Sequence, residues 1–141
     1  MLLLALLGLA PFGCSTKSGA GLRLPEGDPH RGREVFVEMS CHSCHRVFAT
    51  DLPTPVADPP VPVIGGGVTW IPTDGQLVSS IINPNHRITR ARAQQQVTVK
   101  GVSRMGSYNE LMTVEDLVDL VAFLRTRYDV PVMLAEAAEP R

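Results

Sequence analysis

The chain has 141 residues, enough for one ordinary domain and too few for two. Its formal net charge is −1, so the overall balance points away from nucleic acid or a strongly anionic surface as partner. Aromatic residues make up only 5%, which is thin for a core built from side chains alone, and Gly 12 with Pro 12 points to long irregular loops.

Leu2 to Phe12 is almost wholly apolar. The run is shorter than the ~20 residues that a membrane-spanning helix needs, and it fits the apolar region of a secretion signal. Gly13-Cys14-Ser15 follows and resembles the end of a bacterial lipobox, in which the cysteine becomes the lipidated first residue. Cys14 is therefore expected to carry a lipid anchor to a membrane. The alternative is an ordinary cleaved signal that removes Cys14. Ser15 to Gly21 is small and polar and reads as a tether. The expected organisation is a signal segment over 1–14, a tether over 15–25, one folded domain over 26–130 and a loose tail over 131–141.

The domain opens with Gly27-Asp28-Pro29. Asp28 is a good N-cap and Pro29 suits the first helical position, which predicts a helix from Pro29 to about Met39. Val35, Phe36 and Met39 supply its apolar contacts, while His30, Arg31, Arg33 and Glu34 look solvated. Gly32 and Phe36 share a face, and a glycine there lets a second helix come close.

This helix runs into Cys41-His42-Ser43-Cys44-His45. Cys-x-x-Cys-His is the attachment signature of a c-type haem. Its two thiols can add to the two vinyl groups on one porphyrin edge. The histidine after the second thiol then presents a ring nitrogen to the iron. A thioredoxin-like dithiol would need a βαβ setting, and a structural zinc site would need a second ligand pair nearby; the sequence offers neither. One covalent haem c also answers the shortage of aromatic residues, because it brings a large flat apolar surface.

Pro53, Pro55, Pro59, Pro60 and Pro62 then exclude a regular helix. The expectation is a wall along one haem face, with a carbonyl of this region accepting the His45 Nδ1–H, since ligating histidines are held by such acceptors. A surface linker is the plainer reading. Gly65-Gly66-Gly67 suits a turn or a close backbone approach. Trp70 could reach a haem propionate with its indole N–H or simply pack in the core.

Thr73-Asp74-Gly75-Gln76 is a capping box that opens a helix with Leu77, Val78, Ile81 and Ile82 as its core face, closed by Asn83-Pro84. Asn85 to Arg104 carries Arg87, Arg90, Arg92, Lys100 and Arg104 and no acid, as a partner-facing surface or a propionate-facing one would. Within it, Gln96 to Lys100 alternates like a short strand, and Gly101 follows as a turn. Thr113 caps the last helix, which has acids in its first turn and an apolar face of Leu117, Val121, Leu124 and Tyr128.

These parts together resemble the class I cytochromes c, the small bacterial monohaem kind, over about Gly27 to Tyr128. The resemblance rests on Gly27-Asp28-Pro29 leading to Gly32 and Phe36, on the haem pentapeptide, on Met105-Gly106-Ser107-Tyr108, and on Val121-Ala122-Phe123-Leu124. It implies a mainly α fold around one covalent haem, with irregular loops and room for one short strand pair. It implies that the first and last helices cross, that Met105 is the distal iron ligand, and that the protein carries electrons between redox partner proteins. It also implies location outside the cytoplasm, periplasmic or on the outer face of a bacterial membrane, where such haem is attached.

Position alone does not choose between Met105 and Met112. Met112 directly precedes the cap Thr113 and can pair with Leu117 as a hydrophobic staple, whereas Met105 lies between Gly101 and Gly106 with no such job. His30 and His86 sit in polar surroundings and read as solvated. A haem-based sensor or small peroxidase-like enzyme with an open distal position is the alternative function, and the coordination number of the iron separates the two.

Overall fold

The computed structural model describes residues 22–56, 63–88 and 97–129. Helix α1 (Pro29–Glu38) starts where Asp28 and Pro29 require it. Asp28 Oδ1 accepts the backbone N–H groups of His30 at 2.7 Å and Arg31 at 3.3 Å, and Pro29 stands where no N–H is needed. Ser40 then turns the chain with a left-handed φ of 56° into one 3-10 turn, Cys41–Ser43. Helix α2 (Asp74–Ile82) opens on the expected box, with Thr73 and Gln76 satisfying each other's backbone N–H groups. Helix α3 (Val114–Arg125) is capped by Thr113, with Asp116 completing a second reciprocal box.

α1 and α3 form the dominant contact between elements. Phe36 meets Phe123 edge-to-face, with ring centroids 5.8 Å apart. Gly32 makes the crossing possible: a Cβ there would strike the Asp119 carbonyl and come within 2.8 Å of Phe123 Cβ. Asp119 is itself buried, and its Oδ1 accepts the backbone N–H of Asp28 at 2.8 Å, so the start of α1 is tied to the middle of α3. Val35, Leu120, Val121 and Leu124 fill the core beside them, and α2 adds Leu77, Val78 and Ile81.

Short strands finish the fold. β1 (Gly66–Gly67) pairs in parallel with β4 (Tyr128–Asp129), and β2 (Thr98–Val99) forms an antiparallel hairpin with β3 (Val102–Ser103). Lys100 and Gly101 both have positive φ, 52° and 81°, the pairing that a type I′ turn demands. At Gly65, φ is 89° and a Cβ would collide with the Arg127 carbonyl, so the triple glycine serves a close backbone approach as expected. Through this contact and a bridge from Val47 to Ile64, the loop after the pentapeptide is bound to the chain that follows α3.

Three expectations are corrected. Tyr128 is not helical: α3 stops at Arg125, and Tyr128 pairs with Gly66 in the sheet while its side chain still packs on the core. Ile82 is 40% exposed rather than core, because it lies at the last turn of α2 and lines an open surface groove facing the start of α3. The strand proposed over Gln96–Lys100 is paired only at Thr98–Val99, and its start at Gln96 lies outside the described residues. Cys14, Pro59, Pro60, Pro62, Arg90, Arg92 and the tail over 131–141 also lie outside them.

Candidate cofactor site

The pentapeptide is wound tightly. The N–H groups of Cys44 and His45 both donate to the Cys41 carbonyl, at 3.2 and 2.9 Å. Four residues of such winding bring Cys41 and His45 to the same side, and both line one cavity of about 310 Å³. That volume lies at the lower end of the range for small-molecule and cofactor pockets. Phe36 of α1, Leu77 and Ile81 of α2, and Leu120 and Leu124 of α3 supply apolar wall. The 105–112 segment adds Met105, Tyr108 and Met112.

The two cysteines are free thiols in different surroundings. Cys41 is buried, and burial pushes its thiol up to about 11; Cys44 is exposed. Burial also holds the His45 imidazole below its usual range, so the neutral ring, with a lone pair for a metal, is the stable form. Its Nδ1 is buried and has no hydrogen-bond partner among the described residues. The acceptor expected from the proline region is thus not supplied by Pro53 or Pro55, and the other prolines of that stretch lie outside the described residues. His42 Nδ1 is in the same position.

Both candidate distal methionines are half-buried and line the cavity. The Met105 N–H is held by Ser103 Oγ at 3.2 Å, just past the hairpin. Met112 also shares a smaller groove with Leu117, as a staple would, so it has a place both against its own helix and in the cavity wall. Trp70 lines the cavity but is 54% exposed, which removes the core-packing reading and leaves its indole at the mouth. Among the described residues Arg87 is the one cationic side chain in the lining. His30 and His86 are exposed and do not line it; His86 Nδ1 lies 2.9 Å from the Asn83 carbonyl.

Sequence reasoning passed over Tyr108 and Tyr128 as site residues. Both line the cavity, and burial raises both phenols, with the nearby Cys41 and Cys44 thiols adding to the effect on Tyr108. For Tyr108 the available signal was its place three residues after Met105; for Tyr128 it was the apolar period that ran past the end of α3.

The residues fit a flat apolar group attached at one edge: a cavity walled by three helices, a thiol pair at its border, a neutral imidazole inside and thioethers in the wall. Among the described residues no group of three or more His, Cys, Asp or Glu converges, so a zinc-type ligand set has no partners there. The architecture and the cavity define a small helical haem-protein domain. The cytochrome c family model matches residues 29–127, and the chain belongs to that family, whose members hold haem c covalently and generally carry electrons. No curated protein matches the chain, and no solved structure matches it.

Proposed function

We propose that this chain is a single-electron carrier in which Cys41 and Cys44 hold the haem, His45 is one axial ligand and Met105 the other. The observation that carries the proposal is that Cys41 and His45 of the pentapeptide and Met105, far from them in sequence, line a single apolar cavity. Haem c supplies an iron that alternates between ferrous and ferric states, and a thioether ligand favours the ferrous one. The chain's own residues do the rest. His45 offers a neutral nitrogen, and the apolar wall excludes water. Arg87 and Trp70 stand at the mouth, where a guanidinium and an indole N–H suit carboxylate groups. With protein ligands on both sides the iron has no position for substrate, which favours a carrier, free or as a subunit of a larger oxidoreductase, over a sensor or peroxidase.

We further propose export and a lipid anchor at Cys14, supported by the apolar run Leu2 to Phe12 and by Gly13-Cys14-Ser15. No helix among the described residues is long and apolar enough to cross a membrane.

Intact-mass measurement tests attachment. Protein matured in a host that attaches haem c should carry one added haem that acid-acetone does not extract. A mass equal to the bare polypeptide refutes the proposal.

A further inference from the structure

We propose that the groove between the end of α2 and the start of α3 is an electron-transfer docking surface for a redox partner protein that presents an apolar side chain ringed by Lys or Arg. The proposal rests on the carrier reading above and adds a second face to it, apart from the cavity mouth.

The groove has a volume of about 190 Å³ and is walled by Ile81, Ile82, Tyr108, Met112, Val114 and Leu117. Ile81, Tyr108 and Met112 also line the cofactor cavity. The groove and the cofactor cavity therefore share these side chains as a common wall. Electron tunnelling weakens steeply with distance, so a partner seated here has a short path. The walls are held together before any partner arrives, because Asn109 Nδ2 donates to the Ile82 carbonyl at 3.0 Å, and a preformed surface loses less freedom on binding.

The charge around the groove selects the partner. Among the described residues no lining side chain is charged. Val114, in the groove wall, is 78% exposed, Leu111 next to Met112 is 69% exposed, and Glu110 and Glu115 flank them in sequence. Both carboxylates are exposed, and neither joins an ion pair among the described residues. An apolar centre inside a charged rim is the layout of a protein interface, and a negative rim draws a positive partner. Arg87 lines the cavity and not this groove, so the two faces carry opposite signs.

The test uses the ferrous holoprotein and two small oxidants, each taking one electron from the iron. Tris(phenanthroline)cobalt(III) is an apolar cation that imitates the proposed partner and is reduced to cobalt(II); ferricyanide is an anion and is reduced to ferrocyanide. The variant Glu110→Lys/Glu115→Lys should slow oxidation by the cobalt complex about fivefold or more at low salt, converging with wild type as salt rises, and should not slow ferricyanide. Glu26→Lys/Asp129→Lys makes the same change in net charge elsewhere and should slow the cobalt complex much less. Unchanged cobalt kinetics in the first variant, or equal slowing in the second, overturns the groove and leaves the carrier reading standing. A holoprotein that neither reagent oxidises overturns both.

Discussion

Met105 and Met112 both reach the cavity wall, so chemistry must separate them. Met105 lies in a loop, its N–H held by Ser103 Oγ, and its side chain lines the cavity but not the smaller groove beside α3. Met112 is shared with Leu117 and the start of α3. Met105→Ala should therefore remove the red charge-transfer band of methionine-ligated ferric haem, lower the potential and let carbon monoxide bind the ferrous form. Met112→Ala should keep the band and lower stability by less than the ~2–5 kcal/mol of a fully buried methionine, because Met112 is half-buried. Optical spectra of both variants decide, and a wild-type protein that already binds carbon monoxide quickly would show an open distal site. The pentapeptide can be proposed from sequence because its chemistry is local: five consecutive residues carry two thiols, a candidate ligand and their spacing. Asp119 was not legible. A carboxylate on a helix reads as solvated, and only the tertiary crossing reveals that it is buried on the Asp28 N–H.

At the level of elements, the α1–α3 crossing depends on Gly32. Gly32→Ala should lower stability by about 1–3 kcal/mol, because the added methyl meets the backbone of Asp119, which cannot swing aside as a side chain can. Urea denaturation of the holoprotein measures this, and an unchanged midpoint would contradict the crossing. The start of α3 makes stability depend on pH. Hydrogen bonds from the Thr113 hydroxyl and backbone N–H, with a smaller contribution from Arg31, hold the Asp116 carboxyl below its usual range. A lowered folded value means that the contribution is present above the unfolded carboxylate range and is lost as pH falls through the folded value. Glu38, lowered chiefly by its hydrogen bond from Arg31, acts in the same direction. Asp116→Asn should therefore flatten, without abolishing, the loss of stability between neutral and acid pH, as read from denaturation midpoints along a pH series. Helix starts were readable from sequence because caps are local, as at Asp28, Thr73 and Thr113. The end of α3 was not. Apolar spacing reports which residues are buried, and Tyr128 is partly buried, but its backbone is claimed by Gly66 rather than by the helix.

For the whole molecule, the mainly α fold and the family could be expected from a handful of anchors spread along the chain, since helix, pentapeptide and last helix fall in a fixed order. The hairpin after Thr98 was partly readable from its alternating residues and Gly101, but the pairing of Gly66 with Tyr128 was not, because it rests on backbone geometry at Gly65 rather than on a run of strand-forming residues. The proposed lipid anchor is tested on the full chain. Wild-type protein should sediment with membranes and Cys14→Ala should not. A soluble wild-type protein beginning downstream of Cys14 would show that the signal is simply removed.

The crossing of α1 on α3 also sets a schedule. The hydrogen bond from Asp28 to Asp119 joins residues 91 apart, and the sheet of Gly66 with Tyr128 closes only when the chain beyond α3 is present. A chain delivered from its amino end therefore presents the pentapeptide well before the helix that shuts the core has arrived. On the attachment proposed above, Cys41, buried in the finished fold, is accessible during that interval. An attachment site placed early and a locking helix placed last would leave time for that covalent step.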